Sequence, residues 1–116
     1  MKLTRIGTMA LAMSALLTGC AQAPKPLYAW GSFPAQQYAY LKGDTLAPQI
    51  EAMEKMREEA RSKDEKLPPG FRAHLGLLYG KAGQDDRMVE QLVDEKSTFP
   101  EASAYIDFLL ARIKKP

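Results

Sequence analysis

Pro68-Pro69-Gly70 falls just past the midpoint of the 116-residue chain. Two consecutive prolines remove two backbone donors and clash with a preceding helical turn, so no helix or interior strand runs through them. On either side the apolar residues recur every three or four positions, the period of a helix with one buried face. Gly and Pro divide this pattern into short pieces. The spacing predicts a first helix from about Pro34 to Lys42, ended by Gly43-Asp44-Thr45, and a second over Leu46 to Lys63. A third is expected over Gly70 to Lys81, stopped by Gly83, and a fourth over Gln84 to Lys96. Pro100-Glu101 opens the last, with Arg112, Lys114 and Lys115 at its negative end. No segment alternates apolar and polar residues over five or more positions, so the fold class is all-α, built from antiparallel helical hairpins.

The buried faces follow from the period. In the second helix they are Leu46, Ile50, Met53, Met56 and Ala60, with Pro48 accommodated in the first turn. Glu51–Lys55, Glu54–Arg57 and Glu59–Lys63 are spaced to pair on its wet side. The third helix presents Leu75, Leu78 and Tyr79, and the fourth Met88, Val89, Leu92 and Val93. Ala102, Tyr105, Ile106, Leu109 and Ile113 share one side of the last.

The N-terminus reads as an address. Lys2 and Arg5 precede an apolar run from Ile6 to Leu17, too short to span a bilayer. Leu17-Thr18-Gly19-Cys20 then resembles the lipobox of bacterial lipoproteins. The resemblance implies a signal peptide over residues 1–19, with Cys20 as the lipidated first residue of the mature chain. Residues 20–26 form a tether in which Pro24 and Pro26 keep the backbone extended. Ala21 at the second mature position, where lipoproteins retained at the inner membrane carry Asp, directs the expectation to the periplasmic face of the outer membrane. Residues 27–116 form a single all-α domain.

Charge and chemistry narrow the function. The formal net charge is +2, and setting aside Lys2 and Arg5 leaves 14 basic and 14 acidic residues. A neutral body disfavours nucleic acid as a partner, because phosphate affinity needs a basic surface. One Cys and one His exclude a disulfide framework and a cysteine- or histidine-rich metal site. His74 has no second His to work with and reads as a hydrogen-bonded structural residue. The adjacent acids Glu58-Glu59 and Asp85-Asp86 point in different directions on a helix and make no catalytic pair. No nucleophile motif or glycine-rich phosphate loop is present, so the expectation is a non-enzyme without metal or cofactor.

Half of the ten aromatic residues lie between Leu27 and Leu41: Tyr28, Trp30, Phe33, Tyr38 and Tyr40. Tyr28, Trp30 and Phe33 either cover an open end of the hairpins or stand exposed as partner anchors, the role aromatic side chains often take at interfaces.

Pro69 to Ala102 spans 34 residues, the length of a tetratricopeptide repeat, and Leu75-Gly76, Tyr79, Gly83 and Pro100 stand at its spacing. Three positions depart from that pattern. Met88 replaces a small residue, Glu95 replaces Ala, and Arg72 stands where a large aromatic is usual, with Phe71 adjacent. Glu95, out of place in the repeat, is expected to pair with His74 or Arg72 across the hairpin. Residues 34–63 fit a degenerate earlier hairpin without the Leu-Gly pair. By analogy with the repeat's groove, Ala73, Leu77, Gly80 and Lys81 form a small, weakly charged face suited to an apolar peptide or helix.

A wider resemblance covers most of the chain. Leu27-Tyr28-x-Trp30-Gly31, Tyr38, Pro68-Pro69-Gly70-x-x-Ala73-His74-Leu75-Gly76-x-Leu78-Tyr79, Glu95-Lys96 and Phe99-Pro100-Glu101 are similar to a small family of proteobacterial lipoproteins known as domain of unknown function 4810. The resemblance implies a membrane-anchored protein partnered with a curli-secretion-channel-like lipoprotein in a cell-envelope assembly. The function expected is therefore that of a non-catalytic accessory or adaptor in the outer membrane. The alternative is a periplasmic module that binds a peptide or a peptidoglycan fragment.

Overall fold

The structure is a computed structural model that describes residues 23–113. The expected signal peptide and Cys20 lie outside the described residues. Among the described residues five helices follow one another: α1 Phe33–Lys42, α2 Leu46–Ser62, α3 Phe71–Lys81, α4 Asp85–Thr98 and α5 Ser103–Ile113, with a 3-10 turn at Pro100–Ala102 before the last. Each helix packs on the next in the chain, and α3 with α4 forms the most extensive pair. The all-α expectation holds, and every expected boundary falls within a few residues of the observed one.

The boundaries have local causes. Pro34 sits in the first turn of α1, and Gly43 closes it with its N–H on the carbonyls of Ala39 and Tyr40. The Lys63 and Asp64 amides fold back onto Glu59 and Arg61, and the Glu65 N–H reaches the Ala60 carbonyl at 2.8 Å. After the two prolines, Gly70 adopts φ +87°, a left-handed conformation that a residue with a Cβ rarely takes, and α3 starts on the next residue. Acidic Asp85 and Asp86 occupy the first turn of α4, where the helix dipole favours negative charge.

The core gathers Phe33 from α1, Met53, Met56 and Ala60 from α2, Leu67 from the loop, and Phe71, Leu75, Leu78 and Tyr79 from α3. Leu92 of α4 and Ile106 of α5 are also buried. Gly76 lets α3 and α4 close together: a Cβ there would lie 3.2 Å from the Met88 carbonyl oxygen and 3.3 Å from Gln91 Cβ.

Several faces differ in part from their expected setting. In α2 the expected face holds, with Met53, Met56 and Ala60 buried and Leu46 and Ile50 packed against the core, but Gln49 is buried as well, its side-chain amide donating to the carbonyl of Asp44 at 2.9 Å. The inner face of α4 is Met88, Gln91, Leu92 and Glu95, while Val93 points outward at 47% exposure. The two polar residues turn inward because Glu95 has a backbone donor to meet, described below. In α5 only Ile106 is fully buried, and Tyr105 faces solvent. Of the expected ion pairs within α2, none forms. Glu58 pairs with Arg61 one turn on, and Glu54 reaches across to Arg87 of α4 at 2.9 Å. Glu54 lies on the flank of α2 that meets α3 and α4, where a tertiary partner takes precedence over a helical neighbour.

Candidate functional site

The aromatic segment before α1 is fixed to the body at the backbone level. The Ala29 N–H donates to the Lys66 carbonyl at 2.8 Å, which holds residues 27–31 against the loop leading into α3. Tyr28 is half-buried and meets Phe99 edge-on, with ring centroids 6.2 Å apart. Trp30 is 49% exposed and stacks on Phe33 at 6.3 Å.

Phe33 differs from the other two. It is 2% exposed and meets Phe71 edge-on at 5.5 Å, so its side chain is a core element and offers nothing to a partner. The physical reason is its position: the first residue of α1 points inward over the start of α3, where Phe71 and His74 surround it. Of the two readings, covering the hairpins describes Phe33, while Tyr28 is half-buried beside Phe99 and Trp30 rests half-exposed on Phe33.

The groove residues expected from the repeat analogy are divided. Ala73 and Leu77 of α3 line a cavity of about 230 Å³ together with Met88, Leu92, Tyr105 and Leu109. Gly80 packs against the Met88 side chain, and Lys81 is exposed at the far end of α3, away from that cavity. The contribution of α5 to this wall was not foreseen.

His74 borders the same cavity. Its ring lies between Phe33 at 5.8 Å and Tyr40 at 5.6 Å. Burial pushes its pKa below the ordinary imidazole value, and a hydrogen bond with the backbone of Gln36 opposes that shift. Its Nε2 is buried with no hydrogen-bond partner among the described residues.

Glu95 does not pair with His74 or Arg72. Its Oε1 accepts the Gly70 N–H at 2.6 Å, so the carboxylate closes the start of α3. The prolines explain the choice. Pro68 and Pro69 bring the chain across the end of α4, and the left-handed Gly70 leaves its N–H directed at Glu95.

A cavity of about 790 Å³ lies between α2, α3 and α4. Arg57 of α2 and Arg72 of α3 line it, as do Glu90 and Asp94, one turn apart on α4. Tyr28, Ala60, Leu67 and Phe99 supply apolar surface. None of its charged residues was singled out as a site from the sequence. The usable signal was Arg72, a cation where the repeat pattern places an aromatic.

Among the described residues, no three His, Cys, Asp or Glu side chains gather where they could hold a metal ion. No helix among them is long and apolar enough to cross a membrane.

Comparison with known proteins gives one match. The family described as "Domain of unknown function (DUF4810)" matches residues 27–109, from just before Tyr28 to near the end of α5. No curated protein and no solved structure matches.

Proposed function

The chain belongs to the DUF4810 family, and from that membership, its N-terminal sequence and its exposed apolar surfaces we propose that it is an outer-membrane lipoprotein acting as a non-catalytic adaptor in a cell-envelope assembly. The observation that carries the anchor is Leu17-Thr18-Gly19-Cys20, which holds the only cysteine of the chain at the end of a short apolar run. Acyl chains on Cys20 would anchor the protein stably, since each buried methylene contributes about 0.8 kcal/mol. Tyr28 rests on Phe99 of the body, so the expected tether over residues 20–26 is short and keeps the body close to the bilayer.

The adaptor reading draws on apolar surface at two places. Tyr38 and Leu41 stand exposed on the outer side of α1, with Trp30 exposed just before it. At the other end of the chain, Tyr105 and Phe108 of α5 are exposed, although α5 is among the most apolar helices. Aromatic anchors of this kind are what a protein partner desolvates on docking. The α3–α4 hairpin, with Gly76 at its closest approach and Tyr79 buried within, supports a tetratricopeptide-like unit for the body. In the family context, a curli-secretion-channel-like lipoprotein is the first partner to test.

Two measurements check the proposal. Fatty-acid labelling and membrane fractionation should both be lost in Cys20→Ser; a variant that remains membrane-bound refutes the anchor. Affinity purification of the native-level protein from detergent-solubilised membranes should recover a partner. Trp30→Ala with Tyr38→Ala should release it, and recovery of a free monomer alone refutes the adaptor role.

A further inference from the structure

The cavity between α2, α3 and α4 is lined by charges of both signs. Besides Arg61, Asp64, Glu65, Lys66 and Glu101, it is bordered by two guanidinium groups, Arg57 of α2 and Arg72 of α3, and by two carboxylates of α4, Glu90 and Asp94. None of these four joins an ion pair among the described residues, although acids and bases elsewhere on the surface do. Arg72 Nη1 is moreover buried with no acceptor among the described residues. A buried guanidinium N–H without an acceptor loses its hydration for no return, so an anion placed there gains more than it would on an open surface. Unlike a surface arginine, this one lines a cavity whose volume lies within the range of small-molecule sites, about 300–1,000 Å³.

The mixed signs select the ligand. Glu90 and Asp94, with Glu101 also lining the cavity, repel a polyanion such as a nucleic acid or a phosphate-rich lipid surface. Arg57 and Arg72 repel a simple cation. A small group bearing one carboxylate and one ammonium meets both signs. Leu67 and Phe99 offer an apolar surface between them, which suits an adjoining aliphatic chain. We propose that this cleft binds the free carboxy-terminal end of a short peptide whose last residue carries a side-chain ammonium group. The carboxylate is taken by Arg57 and Arg72 and the ammonium by Glu90 and Asp94. The site is independent of the lipid anchor and of the exposed aromatics, so it stands whether or not the adaptor reading does.

The test is calorimetric titration of the purified full chain with the tripeptide Ala-Ala-Lys as its free acid. Three companion measurements use its carboxy-terminal amide, Ala-Ala-norleucine and the free acid in higher salt. The free acid should bind saturably below roughly 10 mM, a range expected for so small a ligand. The amide, norleucine and high-salt measurements should each weaken binding by about tenfold, the effect of one charge-assisted contact. Arg57→Gln should weaken the free acid by a similar factor and narrow the difference between acid and amide, with Arg72 left as the remaining cation. Arg72→Gln should do the same. Arg57 sits at the wall and is replaceable without disturbing the core, so it decides the matter if the Arg72 variant unfolds. Lys55→Gln, exposed and outside the cleft, should change nothing. Absence of binding to the free acid, or equal binding of acid, amide and the Arg57 variant, overturns the proposal.

Discussion

The Tyr79 hydroxyl donates to Glu54 Oε1 at 2.5 Å, and Arg87 donates to the same oxygen at 2.9 Å. The Arg87 guanidinium also lies 4.2 Å above the Tyr79 ring. Three helices therefore meet at one carboxylate: α2 supplies the acceptor, α3 a phenol and α4 a cation. The ring of Tyr79 is buried, so its hydroxyl needs this partner. Tyr79→Phe keeps the ring and removes one hydrogen bond to a charged group, for an expected loss of about 1–2 kcal/mol in urea unfolding at neutral pH. An unchanged midpoint would contradict the geometry.

The same contact predicts an alkaline limit. Burial first, and then the hydrogen bond to Glu54, push the Tyr79 pKa up to about 12, from an ordinary value of 10.0. Between these values the unfolded chain has released the phenolic proton and the native chain still holds it. The stability from this group is complete below pH 10 and declines as pH rises toward 12. Wild type should lose stability over that window more steeply than Tyr79→Phe, measured as unfolding midpoint against pH.

The helices and their breaks were legible in the sequence because Pro68-Pro69, Gly43 and Gly83 act locally. Leu75, Leu78 and Tyr79 were identified as core because α3 is apolar enough for its period to speak unambiguously. The rotation of α4 was not legible. Its hydrophobicity favours Val89 and Val93, but Glu95 is turned inward by an N–H from a residue 25 positions earlier. Whether Phe33 covers the hairpins or faces a partner stayed open in the sequence for a related reason. At a helix start, the approach of Phe71 from another helix decides whether an aromatic is core or surface. The cleft between Arg57, Arg72, Glu90 and Asp94 draws on three helices, and no pairwise spacing along the chain encodes it.

Glu95 is 2% exposed, and its carboxylate meets the Gly70 N–H at the positive end of α3. Glu95→Ala leaves that buried donor without an acceptor and should cost about 1–3 kcal/mol. Glu95→Gln retains an acceptor oxygen and should lose clearly less. Chemical denaturation of the two variants separates a capping role from simple packing: equal losses would mean that the acceptor is not what matters at this position.

Gly76 permits the close approach of α3 to α4. An added Cβ meets the Met88 carbonyl at 3.2 Å, and that oxygen belongs to helix backbone, so α4 itself must shift to relieve the contact. Alanine in a helix interior gains about 1 kcal/mol over glycine, while overpacking costs about 1–3 kcal/mol. Gly76→Ala should therefore be net destabilising, and Gly76→Val more so. At Gly80 the added Cβ meets the Met88 side chain, whose Sδ can swing away. Gly80→Ala should accordingly be tolerated better than Gly76→Ala, and the reverse order of thermal midpoints would refute this account of the hairpin.

His74 sets the acid side. Its imidazole is held between Phe33 and Tyr40, and burial lowers its pKa from 6.5 despite the opposing hydrogen bond with the Gln36 backbone. Protonation is therefore easier in the unfolded chain than in the native one. As pH falls below 6.5 the unfolded state takes up the proton first, and native stability declines until the folded imidazole also titrates. Above that window the contribution is fully present. Carboxylates titrate at lower pH, so the region just below neutrality isolates the histidine. His74→Gln, neutral throughout and of comparable polarity, should flatten the unfolding midpoint between neutral pH and about pH 5.5, whereas wild type slopes downward. An NMR titration of the imidazole gives the independent check, with a native midpoint below 6.5 expected. A midpoint at or above that value would mean that the charged ring finds a partner on this face, and the predicted acid slope would reverse with it.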